Sequence, residues 1–342
     1  MQLAYETLKF LHDGSFYSGT DLAVRLRVSR TSIWKAIQFL QSLGLDIYAV
    51  PGKGYRLAEP LEMLDKNKIS NALSPAVIKR MYQLDVLNLT TSTNDYVAQR
   101  AHSQALSAFA CVAEGQTQGR GRLGRKWISP FGTNLYFSIY WTFQLKPRAL
   151  SGLSLAVGVS VLKAIQILSN NHAIQLKWPN DLYYQDAKLG GILVEILPMA
   201  KTCPDMQTEA ESAAVIGIGI NVSAISDELK PDDRKIAALS QALGYKPSRN
   251  SLVAALLNEL IPALAQFQAE GFSPFKQIWD LHDYLRGKHI SLNLPKGVVS
   301  GDALGVNERG ELCVEVAGQK QAFPCGEVST QLEKNSVKNC YI

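Results

Sequence analysis

Glu114-Gly-Gln-Thr-Gln-Gly-Arg-Gly-Arg-Leu-Gly-Arg-Lys-Trp127 sets four cations (Arg120, Arg122, Arg125 and Lys126) among three glycines (Gly119, Gly121 and Gly124), with no acid after Glu114. Glycine lets backbone N–H groups approach an anion closely, and arginine forks pair with phosphate or carboxylate oxygens. The stretch therefore reads as a polyphosphate cradle. It is not a P-loop, because the chain contains no Gly-Lys-Ser or Gly-Lys-Thr. A disordered Arg-Gly tract that binds nucleic acid has the same composition. A single short copy, with strand patterns at 110–113 and 134–141 on either side and Trp127 closing it, favours a folded ligand loop in a sheet.

Outward from this loop, residues 66–280 read as an α/β unit. Strand patterns fall at 85–89, 110–113, 134–141, 174–177, 191–197 and 214–222, and helical ones at 94–102, 150–169 and 251–270. Strands and helices alternate, but hairpin-like neighbours predict a mixed sheet. The polar stretch 199–212 reads as a loop at a hairpin tip. Residues 287–332 alternate short strands with turns at Gly297, Gly301, Gly305, Gly310 and Gly318, consistent with a small β-barrel, and the last ten or so residues read as frayed.

Two further segments carry chemistry. In Lys177-Trp-Pro-Asn-Asp181, Pro179 ends a strand and Asn180-Asp181 form a turn that sets polar side chains at a strand end; Lys188-Leu-Gly-Gly-Ile-Leu-Val-Glu195 then opens a strand whose Gly190 and Gly191 let a ligand lie against the backbone. Taken alone, these are a turn and a bulge. Ser92-Thr93-Asn94 at a helix start either caps the helix or holds a small polar ligand. Gly217-Ile-Gly-Ile-Asn221 lacks the third glycine of a dinucleotide fingerprint, and no helix pattern follows. The five histidines show no HxxxH spacing and avoid these clusters, which points away from a His-based triad or metal site and leaves metal ligands unassigned.

The first 60 or so residues form a separate pattern. Leu3, Leu8 and Leu11 give a short amphipathic helix, Ser18 with Asp21 starts a second, and Ser29 caps a third that runs to Ser42 and stops at Gly44. Two short apolar strands around Pro51-Gly-Lys-Gly54 follow, which completes a winged helix-turn-helix. The window from Leu22 to Leu45 holds Arg25, Arg27, Arg30 and Lys35 without an acid. Ser29, Arg30, Thr31, Ser32 and Lys35 thus offer donors to DNA phosphates and base edges; a small helical domain with solvated cations is the plainer alternative.

Composition agrees with a soluble globular protein of two or three domains: 342 residues, net charge +5, 46% hydrophobic and 19% charged. The five cysteines are scattered without a CxxC pair, which predicts a reducing cytoplasm. With Glu6, Lys9 and Asp13 the N-terminal stretch lacks the apolar core of a signal peptide, and the longest apolar run, 152–162, is too short to span a bilayer, so no membrane partner is expected.

Taken in order, Ser-Thr-Asn, Gln116 with GRGRLGRKW, KWPND, KLGGILVE and GIGIN resemble the biotin protein ligases, and the N-terminal unit makes the chain resemble their bifunctional group, the biotin operon repressors. The resemblance implies an α+β architecture: a winged helix-turn-helix at 1–65, a mixed α/β ligase domain at 66–282 and an SH3-like β-barrel at 283–335. It implies that ATP, with Mg²⁺, activates biotin to biotinyl-5'-adenylate and that biotin passes to a lysine of biotin carboxyl carrier protein. Operator DNA and a homodimer favoured by the adenylate complete the implied partners. Ser92, Thr93, Asn94, Gln116, Arg120, Gly121, Arg122 and Lys188 are the implied biotin contacts, and Arg120, Arg122, Arg125, Trp127, Asn180 and Lys188 the adenylate contacts. Lys188, Arg122 and Asp181 carry the chemistry, Asp181 by orienting or deprotonating the acceptor lysine. Thr91 departs from the pattern, where family members often have Asp. Two rivals remain at this point: a metabolite-sensing repressor without ligase chemistry, and a lipoate ligase of related fold.

Overall fold

Ser18 and Ser29 start their helices as side-chain caps, Ser18 Oγ accepting from the Asp21 N–H at 3.0 Å and Ser29 Oγ from the Ser32 N–H at 3.1 Å. They open α2 (Gly19–Leu26) and α3 (Arg30–Ser42), which pack with α1 (Gln2–Leu11) around Leu8, Leu11, Leu22, Ile33 and Leu40. Strands β1 (Ile47–Val50) and β2 (Gly54–Leu57) form the expected antiparallel wing. Tyr17 and Tyr55 exchange backbone hydrogen bonds, so a Cβ on Gly54, whose φ is +102°, would lie 2.1 Å from the Tyr17 carbonyl oxygen; this explains the second glycine of Pro-Gly-Lys-Gly. The structure, a computed structural model, describes residues 1–104, 107–169, 173–197, 211–224 and 235–330. The expected loop at 199–212 lies outside these up to residue 210, as does the chain end from 331.

The central unit holds α4 (Lys66–Asn71), α5 (Pro75–Arg80), β3 (Gln83–Thr90), α6 (Thr93–Gln104), β4 (Phe109–Gln116), β5 (Leu135–Phe143), α7 (Leu153–Leu168), β6 (Gln175–Lys177), β7 (Asp181–Tyr184), β8 (Ala187–Leu197), β9 (Ser212–Ile220), α8 (Leu239–Leu243), α9 (Arg249–Glu270) and α10 (Ser273–His282). The sheet order is β3-β4-β5-β9-β8-β7-β6, parallel only between β3 and β4. Alternation sorts its two faces. Ala110, Val112, Ala214, Ile216, Ile218 and Ile220 meet α7 and α9, whereas Phe109, Cys111, Ala213 and Val215 meet α6. The segments Pro147–Leu168 and Arg249–Glu270 are long and apolar enough to cross a membrane, yet they are core helices packed on each other and on the sheet. Sequence reading passed over α4, α5, α8 and β7, which are too short for periodicity to register, and also α10, which is as long as α1.

Strands β10 (His289–Leu294), β11 (Gly297–Val306), β12 (Leu312–Val316), β13 (Gln319–Phe323) and β14 (Glu327–Thr330) make an antiparallel sheet in the order β13-β12-β11-β10-β14. Its Leu292, Leu312 and Val314 join the central core. At the other end, the segment after the wing is tied down by charge. Arg249 pairs with Glu114 at 2.7 Å with both side chains 1% exposed, and Leu64 N–H donates to Glu114. Glu62 accepts from Ser248 Oγ, Arg249 N–H and Asn250 Nδ2. Burial pushes Glu114 above the usual carboxylate range against the pull of Arg249, while in Glu62 these hydrogen bonds outweigh burial and lower it. Tyr5 of α1 also stacks on Phe131, at 6.0 Å and 10°.

Candidate functional site

Where β3 hands over to α6 and β4 ends, the parallel pair opens a cleft of about 910 Å³ over the α6 face of the sheet. Its floor explains a motif that sequence reading set aside. In Gly217-Ile-Gly-Ile-Asn221 the isoleucines point into the core and the glycines toward the cleft. A Cβ on Gly217 would lie 2.2 Å from Asn94 Oδ1, and one on Gly219 would lie 2.5 Å from the Trp127 indole. The alternation Gly-Ile-Gly-Ile is thus a strand with one bare face, a signal present in the sequence.

Ser92, Thr93 and Asn94 are all buried at the α6 N-terminus. The Thr93 N–H and Oγ1–H donate to Gln116 Oε1 at 2.8 and 3.1 Å, and Gln116 Nε2 donates to Ser129 Oγ at 2.9 Å. Ser138 and Glu195, which sequence reading did not select, complete the network: Ser138 Oγ is 2.7 Å from Thr93 Oγ1 and 2.6 Å from Asn94 Oδ1, and Asn94 Nδ2 donates to Glu195 at 2.6 Å. The result is a buried row of neutral donors and acceptors ending in one carboxylate.

The Gly-Arg loop forms the opposite wall. Trp127 lies on Gly219, and the loop returns through Gly121 N–H to Arg125 O and Trp127 N–H to Gly119 O. Each arginine has a partner. Arg120 reaches Asp95 at 2.5 Å and Glu195 at 3.4 Å, Arg122 reaches Asn180 Oδ1 at 3.1 Å and the Gly326 carbonyl at 3.4 Å, and Arg125 reaches Glu327 at 2.6 Å. The second and third contacts bind the loop to the C-terminal sheet. Leu123, at the loop apex, has φ 55° and is 75% exposed.

Lys188 faces this loop from β8. Its Nζ lies 2.7 Å from Asp181 Oδ1 and 5.6 Å from the Trp127 ring centroid. Asn221 Nδ2 donates to the Lys188 carbonyl, and Lys188 N–H and C=O bond to Lys235 and Ala237, which fixes its backbone. Asp181 opens β7 opposite Lys177, so the turn is Trp178-Pro179-Asn180, one residue earlier than expected. Ser92, Thr93, Asn94, Gln116, Arg120, Gly121, Arg122, Arg125, Trp127, Asn180, Asp181 and Lys188 therefore all line one cleft, converging cations on a neutral slot. Among the described residues no group of three or more His, Cys, Asp or Glu gathers as a metal cage.

The helix-turn-helix is a second, separate site. Arg30, Thr31 and Lys35 are exposed along α3, and Ser29 and Ser32 share a hydrogen bond at its start, so their hydroxyls are partly engaged in the cap. Arg27, φ 56°, closes α2 with its N–H on Ala23 and Val24 carbonyls, and turns the chain into α3.

Three family models match the chain in order: HTH domain at 5–56, Biotin/lipoate A/B protein ligase family at 86–204, and Biotin protein ligase C terminal domain at 286–330. The chain is 38% identical over 322 residues to Bifunctional ligase/repressor BirA of Salmonella typhimurium, covering 94% of this chain and 95% of that one. It is 37% identical over 322 residues to its Escherichia coli counterpart, with the same coverage. Among solved structures, Biotin protein ligase from Aquifex aeolicus in complex with biotin and ATP matches with a TM-score of 0.59 at 29% identity, over 73% of this chain and 98% of that one.

Proposed function

The chain belongs to the bifunctional biotin protein ligases that are also biotin operon repressors, and from that premise we propose how its cleft and its helix-turn-helix divide the work. It is a biotin–[acetyl-CoA-carboxylase] ligase and a DNA-binding repressor, which answers both rivals, a sensor without ligase chemistry and a lipoate ligase.

The observation that carries the division of the cleft is its polarity. The neutral slot of Ser92, Thr93, Asn94 and Gln116 suits the uncharged ring system of biotin, and the cationic wall suits carboxylate and phosphates. Biotin sits with its carboxylate toward Arg120, Gly121, Arg122 and Lys188. ATP lies along Arg120, Arg122, Arg125, Trp127 and Asn180. The biotin carboxylate oxygen attacks the α-phosphorus, pyrophosphate leaves, and a mixed anhydride with AMP forms. Two anions meet in this step, so Lys188 and Arg122 lower the barrier by holding charge that develops in the transition state. The amine of a carrier-protein lysine then attacks the acyl carbon, AMP leaves, and an amide forms. The 2.7 Å contact of Asp181 with Lys188 supports a role for this carboxylate in the second step, in which Asp181 orients or deprotonates the incoming ammonium. Mg²⁺ would accompany ATP and offset the charge of the departing pyrophosphate; among the described residues no group of three or more His, Cys, Asp or Glu is gathered to hold it.

Domain limits at 1–65, 66–282 and 283–335 fit this assignment, with the cytoplasm as the compartment and the carboxyl carrier protein as acceptor. Biotinyl-5'-AMP acts as corepressor by ordering the Gly-Arg loop and favouring a homodimer that binds an inverted repeat. The test uses the full chain. Labelled biotin should pass to apo carrier protein only with ATP, and operator titrations should tighten when biotin and ATP are added. Transfer without ATP would refute the adenylate route, and equal operator affinity in both titrations would refute the corepressor role.

A further inference from the structure

Four of the five tryptophans are buried or half-buried; Trp34 is 52% exposed. It sits in α3, whose Ile33, Ile37 and Leu40 are at most 1% exposed and, with half-buried Phe39, complete the N-terminal core without it. At about 100° per residue, Trp34 falls between Arg30 and Thr31 on the exposed arc of the helix, with Gln38 beside it. A half-exposed indole at the centre of a cationic, donor-bearing helix face is not needed to complete the core. Its neighbours select its occupant: from Leu22 to Leu45 there are four cations and no acid, which suits a polyanion and disfavours an acid-seeking or apolar protein surface.

Resting on the DNA-binding reading above, we propose that Trp34 is a specificity-determining residue that reads a thymine in the major groove of the operator half-site. Thymine alone presents there a methyl group beside an acceptor, O4. Indole matches both, with an apolar face and a single N–H donor that accepts nothing. Arg30 and Lys35 flank the contact and hold the phosphates or guanine edges on either side, so the readout at this position belongs to Trp34.

The experiment selects duplexes from a random-sequence pool with the full-length protein in the presence of biotin and magnesium ATP, then replaces each selected thymine in turn by deoxyuridine, which removes only the methyl group. At one position per half-site the wild-type protein should lose about fourfold in affinity, the worth of one buried methyl. Trp34→Ala should bind the thymine duplex roughly tenfold more weakly and be indifferent to uridine there. Trp34→Phe should keep the methyl discrimination. Carrier-protein labelling and thermal melting of both variants check that the fold is intact. A wild-type protein insensitive to uridine at every position overturns the proposal without recourse to any variant, and so does a Trp34→Ala protein of unchanged affinity and unchanged discrimination. If wild type enriches no duplex at all, the DNA-binding reading fails first and the proposal falls with it.

Discussion

The two walls of the cleft are built on opposite principles. In one, Ser92, Thr93, Asn94 and Ser138 are at most 5% exposed, and their mutual hydrogen bonds leave little freedom before any ligand arrives. In the other, the side chains of Arg120 and Arg125 are 43% and 48% exposed and their partners Asp95, Glu195 and Glu327 are partly exposed carboxylates. Buried neutral networks fix geometry, whereas exposed ion pairs contribute only about 0–1 kcal/mol each. The difference teaches that the slot recognises by shape and the loop by charge supplied with the ligand. Substitutions in the slot should therefore change how tightly biotin enters, and substitutions facing the loop should change what happens to the activated product.

Lys188→Ala should have the largest effect. A fixed cation lost from the transition state lowers the rate roughly 10²- to 10³-fold, so pyrophosphate release at saturating biotin and ATP should fall by that factor while melting temperature holds. Unchanged release would remove Lys188 from the mechanism and leave the charged wall without its centre.

Arg122→Gly comes next. Arg122 links the loop to Asn180 and to the C-terminal sheet through Gly326, so its removal frees the loop on two sides. Retention of the adenylate should weaken by roughly 1.5–3 kcal/mol, the worth of a charged hydrogen bond, and released adenylate should label lysines of bystander proteins. A variant that makes adenylate and still labels only the carrier would show that the neutral slot alone retains the product.

Gly217→Ala probes the opposite wall. Its methyl would displace Asn94 and disturb the contact to Glu195, so biotin affinity by calorimetry should drop by roughly 1–2 kcal/mol, with ATP affinity unchanged. Equal losses for both ligands would erase the proposed division of the cleft.

The charged wall was more legible in the sequence than the neutral one. GRGRLGRKW announces itself because Gly and Arg act locally, through backbone approach and formal charge. Ser138 and Glu195 give no such signal: each lies in a strand whose alternation explains it as ordinary, and only the packing of α6 on β4, β5 and β9 makes them partners of Asn94. Gly217 and Gly219 stand between these cases. Their period-2 spacing was visible, but a dinucleotide template was the wrong comparison for glycines that clear one face of a strand. The helix starts at Ser18 and Ser29 were readable for the same reason as the loop, since a cap is a contact across three residues. The anchoring of 59–65 by Arg249 joins positions 187 residues apart, and no local pattern encodes it.

The smallest effect on catalysis should come from Asp283, where the chain passes from α10 to the C-terminal sheet that holds Arg122 and Arg125. Burial raises its carboxyl to about 6, with Asp280 adding to the rise, while the Leu285 N–H bond and Arg286 oppose it. Because the folded-state value is above that of an unfolded chain, the protonated form is the stabilising one. Its contribution is complete below about pH 4, is lost as pH rises through 6, and is flat beyond. Asp283→Asn keeps an acceptor for the Leu285 N–H and removes the charge. The variant should match wild type near pH 4 and exceed it above pH 6, by on the order of 2 kcal/mol at neutral pH, as read by denaturant unfolding across that range. If the sheet is only a scaffold for the loop, biotin affinity should stay within twofold of wild type while adenylate retention is unchanged or slightly improved. A matching rise in biotin affinity would mean that the neutral slot also depends on the sheet, and the two walls would then have to be treated as one cooperative unit.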